Sequence, residues 1–366
     1  MRYLISLIIL MAIGCASSQR QPNMKSGMYS ENVPAIALRK IVSGQLVINK
    51  NEGLRSVESE IVVTDSDKWH IGSCTKSMTS FLIAMLVQEK KLQLDTSVQE
   101  IFPDLKYKFK QTITIRHLLT HRSGLKDVTD LKPFWTNAYT SNEKLSQQRL
   151  NFIKLLFQED LQFNPDEKYA YLNAGYVVLG AVIEKITGQS WEEVIQKKIF
   201  NALKMNSCGF GAAASKDINP PDQPLGHVVV EAKLTPIRHL TKEVFPSDNP
   251  KFLGPAGTVH CSMDDWGKFL QDMLSATKAR SSLLKPEVAK VFFSEYKDQT
   301  AIGGWGYIKN SKGLRYTMAG SNTMNHAIYI LAPEVDSIYF GAVNSGTDEA
   351  QAELINQLKI LIQSHP

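Results

Sequence analysis

Apolar residues recur at helical spacing behind a short polar segment that contains Ser73. Phe81, Leu82, Met85 and Leu86 fall on one face of such a helix, the arrangement typical of a helix that packs on a core. The pattern therefore predicts a buried helix that begins near Ser73 and ends near residue 90. Similar periods predict further helices at residues 149–158, 173–187, 191–203, 264–274 and 348–361.

Short β-rich runs cluster towards the two ends of the chain. They predict strands at residues 33–40, 45–50, 61–64, 304–309, 314–318, 327–332 and 337–343. The stretch between them is rich in helical periods and proline-marked loops. We therefore predict an α/β (α+β) domain built from residues 31–95 and 256–366, with a mainly helical insertion at 96–255 and the active site between the two.

The N-terminus has the pattern of an export signal. A charged start precedes the apolar run Leu4–Ile13, which is too short to span a bilayer as a permanent helix. The ending Ala12-Ile-Gly-Cys15 resembles a bacterial lipoprotein signal. We predict a signal peptide at 1–15, a lipid anchor on Cys15 and a polar tether at 16–30, with the protein held at a membrane of the periplasm or cell envelope. A simple cleaved signal peptide is the alternative, and it also predicts export.

Composition and charge narrow the choice of partner. The 366 residues are 43% hydrophobic and 21% charged, which is ordinary for a globular protein, and the net charge is +5. Lys106, Lys108 and Lys110 form the one dense basic cluster, which we interpret as a solvated strand face, with contact to an anionic surface as the alternative. No zinc-finger spacing, phosphate-binding glycine loop or long basic tract is present, so nucleic acid is not an expected partner.

Three cysteines remain after Cys15, and they predict no disulfide framework. Cys74, Cys208 and Cys261 allow one pair at most. Cys74 lies next to Ser73 and so raises the question of a thiol mechanism. It has no base at helical spacing, so we assign it to packing.

Ser73 and Lys76 form the candidate reactive pair. They lie one helical turn apart, so the lysine can act as the base that a serine hydroxyl needs. The helix N-terminus adds backbone N–H groups that can hold an oxyanion. Ser-x-x-Lys alone is a weak signal, because it occurs at five other places in this chain.

Tyr171 and Asn173 supply the second candidate group, in the chain's single Tyr-x-Asn. The tyrosine can transfer a proton if a cation such as Lys76 lowers its pKa from the ordinary value of about 10. Asn173 can orient Lys76 and bind an acyl amide. The alternative is that Tyr171 is a core residue and Asn173 a helix cap.

Together these segments resemble the serine β-lactamase and penicillin-binding-protein superfamily, in particular its class C and D,D-peptidase-like branch. The resemblance runs from about Val33 to Ala342. It is carried by Ile71-Gly-Ser-Cys-Thr-Lys-Ser, His117-Leu-Leu-Thr-His-Arg-Ser-Gly-Leu125, Tyr171-Leu-Asn173, Gly254-Pro-Ala-Gly-Thr258 and Asp264-Asp265. It implies a β-lactamase/transpeptidase-like fold, an antiparallel sheet flanked by helices, and acyl transfer without a metal or organic cofactor.

His117 and His121 have the i, i+4 spacing of a helical zinc site. Leu118 stands where the metalloprotease pattern requires glutamate, and no third ligand is evident. We interpret both histidines as structural.

The third motif of the family departs from its usual form. Met318-Ala319-Gly320 aligns with a strand that usually has Lys-Thr-Gly or His-x-Gly. The resemblance implies that Gly320 allows close backbone approach and that the N–H groups of Ser321 and Ser73 form the oxyanion hole. Met318 cannot bind a substrate carboxylate, and Arg315 or His326 are the candidates to replace the missing cation.

The function expected from these residues is hydrolysis of a small-molecule or peptide substrate. Because β-lactams and D-Ala-D-Ala peptides both carry the carboxylate, we expect an esterase or peptidase acting on an uncharged ester or amide rather than an ordinary β-lactamase. A class C-like β-lactamase or D,D-carboxypeptidase is the alternative enzyme. A non-catalytic binder of cell-wall peptide or of a protein partner is the alternative outside enzymes.

Overall fold

The computed structural model describes residues 26–215, 218–238 and 247–364. Its strands, in chain order, are β1 (Ala35–Val42), β2 (Gln45–Gly53), β3 (Lys68–His70), β4 (Gly209–Phe210), β5 (Gly226–Val230), β6 (Lys233–Ile237), β7 (Val259–Ser262), β8 (Gly306–Asn310), β9 (Gly313–Ser321), β10 (His326–Ala332) and β11 (Ser337–Val343). Its α-helices are α1 (Thr75–Gln88), α2 (Val98–Ile101), α3 (Ile115–Leu119), α4 (Lys132–Ala138), α5 (Leu145–Leu156), α6 (Asn173–Thr187), α7 (Trp191–Ile195), α8 (Gly254–Gly257), α9 (Met263–Thr277), α10 (Pro286–Phe292) and α11 (Asp348–Gln363).

The main sheet has six antiparallel strands in the order β2-β1-β11-β10-β9-β8. β11, one of its two central strands, is buried along its whole length, because helices cover both faces. On one face α11 packs Leu354 and Leu358 against the sheet. On the other face Phe81 of α1 and Phe269 of α9 lie in the large core. This architecture confirms the predicted fold class.

A small sheet, β3-β7-β4, lies directly before the predicted nucleophile in the chain, since its strand β3 precedes the turn that contains Ser73. β3 ends at His70, and a single 3₁₀ turn, Gly72–Cys74, joins it to α1. β7 pairs with β3 in the register Trp69 to Cys261. Cys261 is also bonded to Cys208, so two of the three cysteines that follow Cys15 form a disulfide.

Several predicted elements match the structure closely. The segments predicted at 173–187 and 337–343 coincide with α6 and β11. The helix expected at 191–203 is shorter: α7 passes into a wider π-helical segment, Gln196–Phe200. The region 96–255 contains β4 and the hairpin β5–β6 besides its helices, which the apolar periods did not indicate. The division into two domains stays a prediction.

Two strand predictions were wrong. Residues 61–64 form no strand, and Val62 makes only an isolated bridge to Leu54. The basic cluster at 106–110 is not a strand either. Tyr107 and Phe109 between the lysines contact the ring of Phe157, so aromatic packing produces the alternation that resembled a strand.

The predicted signal peptide and Cys15 lie outside the described residues. Within the predicted tether, Tyr29 donates a hydrogen bond from its hydroxyl to Glu353 of α11 at 3.0 Å. Among the described residues, no helix has the length and apolar character needed to cross a membrane.

Candidate active site

Ser73 lies in a turn whose backbone leaves its side chain accessible. Gly72 has φ of +50°, a conformation that glycine adopts readily. Ile71 and Cys74 on either side are buried, whereas Ser73 is partly exposed. The sequence therefore places one partly exposed serine hydroxyl on an otherwise buried turn, directly ahead of the predicted helix.

Lys76 is fully buried and directed at Ser73. Its Nζ lies 3.1 Å from Ser73 Oγ, 2.8 Å from Asn173 Oδ1 and 2.6 Å from the carbonyl oxygen of Ala256. Burial lowers the pKa of Lys76 to about 7, and the carboxylate of Asp127 opposes part of that lowering. The amine is therefore neutral for a large fraction of the time near neutral pH.

Tyr171 donates a hydrogen bond from its hydroxyl to Ser73 Oγ at 2.6 Å. The ring of His121 lies against it, with centroids 4.6 Å apart. Burial raises the pKa of Tyr171 well above its ordinary value, although the hydrogen bond to Ser73 opposes this. The sequence predicts that Tyr171 can transfer a proton if a cation such as Lys76 lowers its pKa. Burial raises that pKa instead, so the condition is not met. Tyr171 stays protonated and is placed as a donor.

Asn173 is the first residue of α6, and its side chain accepts from Lys76 rather than capping the helix. No residue of the helix start itself caps the free backbone N–H groups there, and a side chain from another segment accepts from one of them. Asp127 Oδ1 accepts from the backbone N–H of Ala174 at 3.4 Å. The same carboxylate therefore supports the start of α6 and lies within electrostatic range of Lys76.

Strand β9 forms the opposite wall, in very close contact with the Ser73 turn. A Cβ on Gly320 would lie 2.1 Å from the carbonyl oxygen of Ile71 and 2.8 Å from the nitrogen of Ser73. A Cβ on Gly72 would lie 2.4 Å from the nitrogen of Ser321. Only glycine fits at both positions, and the predicted oxyanion donors Ser73 and Ser321 therefore lie on adjoining backbone segments.

The Met318 side chain is directed to the face of the main sheet that packs on α1, and it is buried there. Its Sδ accepts from the hydroxyl of Ser77 at 3.6 Å. Ala319 is directed to the other face of the sheet, where it packs against the apolar cluster that contains Leu354 and Leu358 of α11. Side chains alternate along a strand, so Arg315 also lies on that other face. His326 is placed likewise, and burial among groups near the start of α11 lowers its pKa. Neither residue replaces the missing cation.

The remaining candidates have structural contacts. His117 Nδ1 accepts from the backbone N–H of Thr114, and His121 Nδ1 accepts from that of Leu172. Burial lowers the pKa of His121 to about 3. Cys74 is buried, and burial raises the pKa of its thiol. In the part of the chain that the structure describes, no cluster of three metal-ligating side chains occurs.

Two members of the site were missed by sequence reasoning. The Ala256 carbonyl lies in α8, a segment noted only for its resemblance to the family. Asp127 follows the conspicuous His117–Leu125 segment by two residues, and nothing in its local pattern distinguishes it. Both act through contacts between segments far apart in the chain.

The family profile described as Beta-lactamase matches residues 21–363. The chain belongs to that family. This confirms the resemblance to the serine β-lactamase and penicillin-binding-protein superfamily.

Known relatives match about half of the chain. Protein flp of Staphylococcus aureus strain COL is 28% identical over 184 residues, which cover 49% of this chain and 35% of that protein. Penicillin-binding protein 4 of Amycolatopsis lactamdurans is 27% identical over 184 residues, 48% of this chain and 44% of the relative. The matched region thus spans less than half the length of either relative.

Solved structures match more of the chain. The octameric penicillin-binding protein homologue from Pyrococcus abyssi has a TM-score of 0.73 and 26% identity, covering 90% of this chain and 74% of that chain. The D-amino acid amidase from Ochrobactrum anthropi SV3 in complex with D-phenylalanine has a TM-score of 0.69 and 21% identity, covering 91% and 95%. The likeness to the amidase shows a shared fold.

Proposed function

We propose that this chain is an exported serine hydrolase that cleaves an uncharged ester or amide through an acyl-enzyme on Ser73. The contacts of Lys76 carry the proposal. A neutral amine has two N–H groups and one lone pair. The carbonyl oxygens of Asn173 and Ala256 can only accept, so they take the two N–H groups. The lone pair then faces Ser73 Oγ, as a general base requires.

The reaction follows from this arrangement. Ser73 Oγ forms a bond to the acyl carbon while its proton passes to Lys76 Nζ. The bond to the leaving group breaks as Tyr171 gives that group its proton, and the proton on Lys76 then replaces the one lost from Tyr171. The N–H groups of Ser73 and Ser321 receive the oxyanion. Water then attacks the ester, transfers its proton through the same groups and releases the acid with free Ser73.

The substrate class is inferred from the β9 wall. Met318 fills the position of the usual cation with an uncharged side chain that ends at Ser77. Arg315 and His326 lie on the other face of the sheet. A substrate carboxylate would find no cationic partner on β9 facing the nucleophile, and this supports an uncharged ester or amide.

Active-site labelling tests the nucleophile. A fluorophosphonate probe should form a covalent adduct with the wild type and none with Ser73→Ala. Ser80→Ala is the matched control, because Ser80 is a buried serine of the same helix whose Oγ lies 3.3 Å from Tyr176 Oη. It should retain labelling. Equal labelling of Ser73→Ala and the wild type would refute the assignment.

A turnover panel tests the substrate class. We expect hydrolysis of p-nitrophenyl esters and much slower turnover of matched esters that carry a carboxylate beside the acyl group. Faster turnover of nitrocefin or of a D-Ala-D-Ala peptide would favour the class C-like β-lactamase or D,D-carboxypeptidase.

A non-catalytic binder is the second candidate, and Met318 is the observation that favours it. It predicts no probe adduct and no turnover, with retained binding of cell-wall peptide. The positions of Lys76 Nζ and of the Tyr171 hydroxyl, both within hydrogen-bond distance of Ser73 Oγ, support the enzyme instead.

Export and anchoring at Cys15 rest on the signal pattern and on the Cys208–Cys261 disulfide, a bond that persists in oxidising compartments. In cells fed labelled palmitate, the wild type should incorporate label and Cys15→Ala should not. Undiminished label in the variant would refute the anchor. Export without label in either protein would indicate the simple cleaved signal.

A further inference from the structure

A buried imidazole connects the Ser73 turn to a remote carboxylate. His70 Nδ1 accepts from the backbone N–H of Gly72 at 3.1 Å, and its Nε2 lies 3.0 Å from Asp248 Oδ2. The backbone N–H can only donate, so Nδ1 carries no proton and Nε2 carries one. His70 therefore donates to Asp248. The two side chains are 4% and 8% exposed, so water does not readily replace either partner.

The second oxygen of the same carboxylate contacts the opposite wall. Asp248 Oδ1 accepts from Nδ2 of Asn322 at 3.0 Å. Asn322 directly follows Ser321, and its own Oδ1 accepts from the backbone N–H of Met324 and from Asn325 Nδ2. Every polar atom of the Asn322 amide group thus has a partner that fixes its orientation. The carboxylate is joined to a rigid turn beside the second oxyanion donor.

We propose that Asp248 is a positioning residue that sets the separation of the two oxyanion-hole N–H groups, through His70 on one side and Asn322 on the other. The inference rests on the proposed function, since it assigns a role to the same site. The carboxylate bridges the two backbone segments whose contact leaves no room for a Cβ on Gly72.

The geometry of an oxyanion hole makes such a bridge consequential. Its donors must lie about 2.7–3.1 Å from the developing oxyanion, and loss of one donor costs roughly 100- to 1000-fold in rate. Asp248 contacts neither Ser73 Oγ nor Lys76 in the described structure, so it acts on placement and not on proton transfer. Without it, the buried N–H donors of His70 and Asn322 lose their acceptor and the two walls are free to shift.

The test compares an ester with the matching thionoester. Sulfur is a poor hydrogen-bond acceptor, so hydrolysis of the thionoester depends little on the oxyanion hole. Asp248→Asn keeps the shape of the side chain but has only one acceptor oxygen, and so retains at most one of the two bonds. We expect its kcat for the ester, per site titrated with fluorophosphonate, to fall about tenfold or more. KM should change little, and the ester-to-thionoester ratio of kcat/KM should fall severalfold.

Asp272→Asn is the matched control. Asp272 is a buried carboxylate of α9 that accepts from Ser281 and Ser282, so its loss perturbs a loop anchor outside the site. Any general damage should slow both substrates equally and leave the ratio unchanged. Asn322→Ala should lower the ratio as Asp248→Asn does, and the double variant should lose less than the sum of the two, because both act on one bridge.

The outcomes separate the two proposals. An unchanged ratio in Asp248→Asn, or equal loss for both substrates, overturns the positioning role while wild-type turnover preserves the proposed function. A wild type that hydrolyses no ester and binds no probe overturns the proposed function and the positioning role together.

Discussion

Replacing Lys76 with methionine distinguishes two contributions of this residue to stability: that of its protonation and that of its hydrogen bonds. Methionine has a similar length, fits a buried apolar site and carries no titratable group. The carbonyl oxygens of Asn173 and Ala256 lose their donor in the variant at every pH. That loss does not depend on pH, so the pH dependence of the difference between the two proteins reports chiefly on the protonation of Lys76.

The magnitude follows from the shift. Burial lowers the pKa of Lys76 from 10.5 to about 7. Between these values the unfolded chain binds one proton more than the folded chain, so the free energy of unfolding rises with pH across this window. At about 1.4 kcal/mol per pKa unit, the wild type should gain about 2 kcal/mol relative to Lys76→Met between pH 7 and pH 9. Below pH 7 the difference should level off, because both states are then protonated.

Two measurements check this. Urea unfolding of both proteins at pH 6, 7, 8 and 9 gives the stability difference, and the rate of fluorophosphonate labelling of the wild type gives the reactivity of Ser73. Labelling should fall about fiftyfold from pH 7 to pH 5, because the neutral amine falls about tenfold per unit well below its pKa. Parallel stability curves, or a labelling rate that keeps rising with a midpoint near 10, would refute the lowered pKa and Lys76 as the base.

Three further predictions concern the walls of the site and the small sheet. Tyr171→Phe should label more slowly and lower kcat about a hundredfold or more in ester assays, because the donor at 2.6 Å from the nucleophile is lost; unchanged kcat would contradict its role. Gly320→Ala should abolish probe labelling, because its Cβ would lie 2.1 Å from the carbonyl oxygen of Ile71. The control Gly188→Ala, at φ of +71° with no atom within 4 Å, should retain labelling and lose only about 1 kcal/mol in urea unfolding. Equal labelling of the two variants would contradict the close approach. Cys208→Ser should lower the free energy of unfolding by about 4 kcal/mol, the value for a disulfide that closes a loop with a sequence separation of 53. Added reductant should have no further effect on the stability of the variant. A wild type whose stability does not change with reductant would contradict the bond with Cys261.

Elements with a strong local period could be predicted from the sequence. The helix at 173–187 has an uninterrupted apolar face, and its bounds were recovered. The strand at 337–343 is buried on both faces, so its continuous apolar run identified it. β3 and β7 were missed because they have only three and four residues and are defined by their pairing with each other. Residues 61–64 show the reverse error, since a β-rich run with no partner strand forms no ladder.

The site was predictable to the extent that its residues are close in sequence or share a motif. Ser73 and Lys76 lie on one turn, and Tyr171-x-Asn173 has a fixed spacing. Asp248 is 178 positions from His70, and no period or spacing connects the two. Such contacts are set by how loops pack around the sheet, and one sequence holds no record of them.

The direction of the pKa shifts makes the missing cation compatible with the proposed mechanism. Loss of water disfavours whichever form of a group is charged. It therefore lowers the pKa of Lys76 to about 7 and raises that of Tyr171, so the amine is neutral for a large fraction of the time and the phenol stays protonated beside Ser73 Oγ. A third-motif lysine close to Tyr171 would favour the phenolate and move the role of base towards Tyr171. With Met318 in the third motif instead, the proposed mechanism has the amine as base and the phenol as donor, and neither role requires a charged group on β9.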